Sequence, residues 1–286
     1  MAHNGVFSTR RTFLQAAAVG TAAVLAPGGL ARAAEPAAGE AKKKPLKFGL
    51  ASYTTRKFSL DETIAMAKRV GLEYLCLKDF HLPLTASADE IRAAAEKVKE
   101  AGLILYGCGV VTMRNEADVN RAFEYAKTAG MTTIIAAPMP EVLPLVDKKV
   151  REYDLFVAIH NHGPGDKVYP TPESIIEKIA KLDGRIGLCI DIGHTVRIGA
   201  DPIRDAERYA DRLHDVHIKD VSAAAPEGNT LEIGRGVIDI PAFLSMLLKT
   251  GYSKVVSYEY EKDEKDPLPG LAESVGFVNG VLAALK

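Results

Sequence analysis

Residues 47–71 read KFGLASYTTRKFSLDETIAMAKRVG, and the fold is decided by how this stretch is divided. Phe48–Ala51 is a short apolar run of the kind that makes a buried strand. Ser59 followed by Glu62 forms a capping box, and Leu60, Ile64, Ala67 and Val70 make one apolar stripe at helical spacing. Gly71 then stops the helix and leads into the next strand. Between strand and helix, Ser52-Tyr53-Thr54-Thr55-Arg56 contains no glycine. A doubly wound dinucleotide-binding sheet usually has a glycine-rich first turn, so this stretch argues against that fold.

Outward from here the same unit recurs. Further apolar runs stand at 74–77, 103–111, 133–137, 155–159, 186–190, 216–218 and 255–258. Between them, Ile91-Ala94-Val98 and Ile175-Ile179-Leu182 are helical stripes, and Thr171-Pro172 is an N-cap followed by Pro at the first helical position. Gly102, Gly130 and Gly251 stop helices as Gly71 does. Eight strands alternating with helices over about 240 residues predict an α/β protein with a single (β/α)8 barrel. No Walker or dinucleotide fingerprint is present, and Gly107-Cys108-Gly109 alone does not make one.

The chain has 286 residues, of which 47% are apolar and 26% charged, with 36 Lys and Arg against 37 Asp and Glu. A formal net charge of −1 offers no basic excess to hold a phosphate backbone and argues against nucleic-acid binding. At the N-terminus, Ser8-Thr9-Arg10-Arg11-Thr12-Phe13-Leu14 carries a twin-arginine pair ahead of a mildly apolar stretch, Ala16 to Leu25. Ala31-Arg32-Ala33 then fits a small-x-small cleavage site. Residues 1–33 are therefore expected to be a twin-arginine signal peptide recognised by the twin-arginine translocon. Residues 34–46 are expected to be a disordered lead-in, and 47–286 the barrel. The apolar run is too short and too rich in Ala and Gly to make a stable membrane anchor. The mature chain is expected to be exported, periplasmic or otherwise extracytoplasmic, with a charge of about −4 after three arginines are removed. Cys76, Cys108 and Cys189 read as buried small hydrophobes rather than disulfide partners. A homo-oligomer is left open.

In a (β/α)8 barrel, chemistry belongs at the C-terminal ends of the strands. Strand five ends in His160-Asn161-His162-Gly163 and strand six in Asp191-Ile192-Gly193-His194. Strand seven runs His214-Asp215-Val216-His217-Ile218-Lys219-Asp220, and strand eight Ser257-Tyr258-Glu259-Tyr260-Glu261. Each passes from an apolar run into His, Asp or Glu. Imidazoles and carboxylates converging from neighbouring strands make a donor set for one divalent ion such as Mn, Zn, Co or Mg. Strand alternation points His160 and His162 one way, and His217 and Lys219 one way, with Asn161 and Ile218 opposite.

Carried by HNHG, D-x-G-H, HDVHIKD and S-Y-E-Y-E in that order, the chain resembles the sugar phosphate isomerase/epimerase family, the xylose isomerase-like TIM barrels. The resemblance covers roughly residues 47–286. It implies a divalent metal binding hydroxyl and carbonyl oxygens of a sugar or polyol. It carries the ligand roles onto Asp191, His217 and Glu259, with His194 and Lys219 as substrate contacts. His162 joins these as a substrate contact and candidate base. Arg197 and Arg235 are substrate-contact candidates that read more readily as surface residues. One departure stands out: the epimerase branch has a Glu on strand five, and this chain has His160. The fourth ligand is therefore open between His160 and Glu141, which follows strand four in Pro138-Met139-Pro140-Glu141.

The implied reaction is proton transfer beside a carbonyl through an enediolate, with Glu259 or a strand-five His as base and Lys219 donating to the developing oxyanion. The expected substrate is a free sugar, polyol or keto-sugar, and the expected activity isomerisation or epimerisation. The alternatives are a metal-dependent lyase or hydratase on 3-keto-glycosides and a non-catalytic exported sugar-binding barrel. An abasic-site endonuclease shares the fold but calls for a basic DNA face.

Overall fold

A computed structural model describes residues 46–285. The expected signal peptide, and all of the lead-in except Leu46, lie outside the described residues. The strands are β1 (Lys47–Ala51), β2 (Tyr74–Leu77), β3 (Ile104–Met113), β4 (Thr133–Pro138), β5 (Phe156–His160), β6 (Ile186–Asp191), β7 (Leu213–Ile218), β8 (Asp220–Val221), β9 (Thr230–Leu231) and β10 (Val255–Tyr258). Eight of them close into a barrel in the order β1-β10-β7-β6-β5-β4-β3-β2. Every ladder in it is parallel. β8 and β9 form a separate antiparallel pair beyond the end of β7. The expected (β/α)8 barrel is the fold observed.

Around the barrel run α1 (Leu60–Arg69), α2 (Ala88–Glu100), α3 (Glu116–Thr128), α4 (Leu143–Tyr153), α5 (Pro172–Ile179), α6 (Ile192–Arg197), α7 (Pro202–Arg208), α8 (Ile240–Lys249) and α9 (Leu268–Ala284). Their ends obey the local chemistry. Ser59 and Glu62 make both bonds of the capping box, and Thr171 caps α5 with Pro172 at its first position. Gly71, Gly102, Gly130 and Gly251 adopt φ of 78°, 81°, 68° and 69°, the left-handed conformation that closes a helix without a Cβ penalty. None of the described helices is long and apolar enough to cross a membrane.

Alternation along the strands sorts side chains into two cores. Val157, Ile159, Leu188, Ile190, Val216, Ile218 and Val256 pack outward in the shell between strands and helices. Ala158, Cys189 and Val255 face the barrel interior, where they join Cys76, Tyr106 and Ile135. Each outward Val, Leu or Ile removed from water contributes about 1.5–3 kcal/mol, so the shell pins the register of every strand. That register is what aims the next inward residue of β5, β6, β7 and β10 into the barrel mouth. All three cysteines are buried and free.

Some elements differ from the expected ones. β7 begins at Leu213, three residues before the expected apolar run. Its two polar members are accommodated separately: His214 Nε2 bonds the carbonyl of Gly184 at 2.7 Å on the outside, while Asp215 is buried on the inside. The short helices α6 and α7 and the β8–β9 pair carry too few apolar positions to show a period.

Candidate metal centre

His160 ends β5, Asp191 ends β6, His217 lies one residue before the end of β7, and Glu259 follows β10. The ladders step them around the barrel, His160 standing opposite Cys189, two residues before Asp191, and Glu259 two residues past the partner of His217. Asp191 pairs with His217 and His217 with Ser257, and the Glu259 amide continues the ladder to the Ile218 carbonyl at 3.2 Å. One ligand atom from each of the four residues lies within 4.8 Å of the others, and all four side chains are buried. His160 Nε2 is 3.1 Å from His217 Nδ1 and 3.5 Å from Asp191 Oδ2, and His217 Nδ1 is 3.1 Å from Glu259 Oε2.

Two imidazoles and two carboxylates at this spacing fit a divalent ion. Buried ring nitrogens left without a hydrogen-bond partner point the same way: His160 Nδ1 and His217 Nε2 are both orphaned. Unpaired buried polar atoms cost about 1–3 kcal/mol each, so their concentration here calls for a ligand.

Three of the four charge states suit ligation, and the fourth, on His217, requires loss of a proton as the ion binds. Burial pushes His160 well below the ordinary imidazole value, with His217 adding to the effect against the pull of Asp191, so its ring is neutral. Burial opposes ionisation of Asp191, but His194, Lys219 and His160 outweigh it and hold the carboxyl well below its usual range. Glu259 is likewise held ionised against burial by Lys219 and His217. His217 is the counterpart: burial works against its charge, and Glu259 raises it.

Asp191 is positioned by its neighbours. Its Oδ1 accepts from the His194 amide at 2.8 Å and caps α6, which leaves Oδ2 turned to the site. Asn161, on the opposite face of its strand from His160, accepts from the Asp191 amide at 2.9 Å. Thr195 Oγ1 donates to the Asp191 carbonyl at 2.7 Å. The glycine of D-x-G-H is required by contact, because a Cβ on Gly193 would meet Lys219 Cγ at 2.6 Å.

The remaining expected residues divide. Lys219 is 2% exposed and sits 2.9 Å from both Asp191 Oδ2 and Glu259 Oε2, with a further bond to Glu261 Oε1. Burial disfavours its charge, yet the three carboxylates hold it well above the ordinary lysine value. His162 and His194 are half-buried beside the group. The His162 ring lies 4.6 Å from that of His160, and His194 Nε2 is 3.9 Å from Asp191 Oδ2. Burial lowers His162, against a nearby Asp166, and keeps it neutral. Glu141 lies exposed on the 3-10 turn after β4 and is not among the four clustered residues. Arg197 bonds the Pro226 carbonyl, and Arg235 pairs with Glu273 on the surface.

Two further side chains reach the site without having been given a role from sequence. Lys78, just past β2, places Nζ 3.9 Å from Glu259 Oε1 and 5.1 Å from the centre of the Tyr53 ring. Glu261, two residues beyond Glu259, holds Lys219. Beneath the centre, Asp215 is fully buried, with burial pushing its carboxyl up to about 7, and Tyr106 bonds Ser257 at 2.6 Å. A Lys ending a strand, two places around the barrel from β10, was the only signal available for Lys78.

The closed parallel barrel, with imidazoles and carboxylates gathered at its C-terminal mouth, defines a class, the (β/α)8 barrels with a candidate metal site at that face. Residues 41–280 match the family described as Xylose isomerase-like TIM barrel, and the chain belongs to that family. The chain is similar to the rhizopine catabolism protein MocC of Rhizobium meliloti, 29% identical over 147 residues that make 46% of this chain and 45% of that protein. It is also similar to inosose dehydratase of Lacticaseibacillus casei, 27% identical over 132 residues, 40% of this chain and 43% of that one. Each match spans less than half the length of the curated relative. Among solved structures, an L-ribulose 3-epimerase superposes with a TM-score of 0.69 at 16% identity, covering 84% of this chain and 96% of that one. The IolI protein with a bound zinc atom gives 0.67 at 20%, covering 84% and 98%. These similar proteins include one named as a dehydratase and one named as an epimerase.

Proposed function

We propose that this protein is a divalent-metal-dependent isomerase or epimerase that moves a proton beside the carbonyl of a free sugar, polyol or keto-sugar. The observation that carries the reading is the convergence of His160, Asp191, His217 and Glu259 at the barrel mouth, with ligand atoms within 4.8 Å of one another. The zinc atom in the IolI structure supports it. When bound, the ion supplies Lewis-acid polarisation of adjacent carbonyl and hydroxyl oxygens, worth several kcal/mol of charge stabilisation.

The chain's own residues do the rest. Glu259 is held ionised and offers a carboxylate from β10 as proton acceptor. His162, kept neutral by burial, offers an imidazole beyond β5, three barrel strands away. Lys219, held protonated, donates toward the oxygen on which charge gathers. Delivery of the proton to the neighbouring carbon isomerises the substrate, and delivery to the opposite face of the same carbon epimerises it. Because β5 carries imidazoles where a second carboxylate would stand, the two acceptors differ in basicity. The expected outcome of Glu259→Gln is a loss of turnover of at least about a hundredfold, the usual worth of a general base. Unimpaired rates would remove Glu259 from that role.

A second reading is β-elimination, a lyase or dehydratase reaction that needs one base and a leaving group beside the keto carbon. The likeness to inosose dehydratase favours it, as does the single carboxylate base. An absorbing conjugated enone product would distinguish it from isomerisation. We also propose that residues 1–33 direct export through the twin-arginine translocon and that the mature enzyme meets its substrate outside the cytoplasm. Replacing Arg10 and Arg11 together by Lys should leave the precursor in the cytoplasm, and normal secretion of that variant would contradict the assignment.

A further inference from the structure

Lys219 is a cation already seated where a metal's carboxylate ligands lie. Its ammonium is 2.9 Å from Asp191 Oδ2 and 2.9 Å from Glu259 Oε2, oxygens of two of the four clustered residues. A third partner, Glu261 Oε1, belongs to none of them. The contact with Asp191 is an ion pair at an angle that makes no hydrogen bond, so Oδ2 keeps a lone pair free. The stem runs over Gly193 so closely that a single Cβ there would meet Cγ at 2.6 Å and Cδ at 2.7 Å, and Glu261 is already within reach of its head.

Glu261 is itself held in place by alternation. Glu259 and Glu261 turn toward the site, while Tyr260 and Lys262 both bond Glu232 Oε1, at 2.8 and 2.7 Å. Asp191, Glu259 and Glu261 carry three negative charges against one on Lys219, so these four side chains keep a negative surplus that attracts a divalent ion. Two cations cannot both occupy the Asp191 and Glu259 oxygens without strong repulsion in a buried site.

We propose that Lys219 is a tethered counter-ion that fills the Asp191–Glu259 carboxylate pair in the metal-free protein, and that Glu261 is the positioning carboxylate onto which it withdraws when a divalent ion binds. This rests on the metal-centre reading above. Withdrawal leaves the ammonium beside the metal, toward the half-buried Glu261, where it can meet a substrate oxygen.

The test is titration of the metal-stripped protein with Zn2+ against a fluorescent chelator. Lys219→Met is expected to bind Zn2+ at least about tenfold more tightly, and Glu261→Gln about tenfold more weakly, as close buried charge pairs couple by that much or more. Glu264→Gln removes the same charge three residues on and is expected to change little. In the Lys219→Met background the effect of Glu261→Gln should largely vanish, which is the coupling a double-mutant cycle isolates. Equal effects of Glu261→Gln and Glu264→Gln, or an unchanged effect of Glu261→Gln without Lys219, would overturn the proposal. If Lys219→Met does not fold, the comparison of Glu261→Gln with Glu264→Gln decides alone. Asp191→Asn separates the two levels of inference. If it abolishes Zn2+ binding while Lys219→Met binds no tighter than the parent, only the counter-ion role falls. If neither the parent nor Lys219→Met binds Zn2+, the metal centre falls with it.

Discussion

Asp191 uses its two oxygens for different purposes, and that division makes it the most informative single residue. Oδ1 caps α6 through the His194 amide, and Oδ2 faces Lys219 and the imidazoles of His160 and His194. Asn caps helices as well as Asp does, so Asp191→Asn should fold normally. The same change removes the ligating charge, and metal affinity should fall by at least about a hundredfold, more than a supporting partner costs. Unchanged metal content in the purified variant would strike Asp191 from the ligand set. Asp191, His217 and Glu259 were legible because each stands where an apolar run gives way to a polar residue at a strand end. His160 and Glu141 could not be separated by that signal, since both follow strands. Closure of the barrel separates them, gathering His160 with Asp191, His217 and Glu259 and leaving Glu141 on an exposed turn. Lys78 was not legible, and Glu261 stood in the strand-end motif without a role, because both roles depend on which strands become neighbours.

At the level of elements, the glycine in D-x-G-H links β6 to β7. Gly193 opens α6 directly beneath the Lys219 stem, and Gly193→Ala would force that stem aside. Overpacking of this kind costs about 1–3 kcal/mol, so a lower melting temperature is expected together with loss of turnover, while far-ultraviolet circular dichroism stays native. A variant with the parent's melting temperature and rate would show that the contact is slack. The eight barrel strands and the capped helices α1 and α5 were readable from periodicity and caps. Helices α6 and α7 were not, because six and seven residues hold too few apolar positions to display a 3.6-residue period. The β8–β9 pair and the turn after it escaped for another reason. Asp220 organises them by accepting from the amides of Val221, Gly234, Gly236 and Ile238, a long-range side-chain interaction without a local signature.

For the molecule as a whole, the segment after β10 must be clamped for the last ligand to stay in place, and Glu232 supplies the clamp. Lys262 is the chief cause that lowers its carboxyl to about 2, opposed by burial and helped by Tyr260. A depressed carboxylate adds stability above its unfolded value, near 4.5, and loses it as pH falls through the folded value, near 2. Glu232→Gln should therefore destabilise by about 1–3 kcal/mol at neutral pH, the worth of hydrogen bonds to a charged group. The gap to the parent should close as pH falls from about 4.5 toward 2, and a gap independent of pH would refute this account of the clamp. The central claim is that the barrel mouth binds a divalent ion and moves a proton beside a carbonyl. Its most direct test is elemental analysis of the purified protein with and without chelator, paired with deuterium exchange from solvent into free sugars and keto-glycosides. The account predicts about one equivalent of divalent metal and exchange at a carbon next to a carbonyl, both lost on chelation. Absence of metal under every loading condition, or exchange that survives its complete removal, would contradict it.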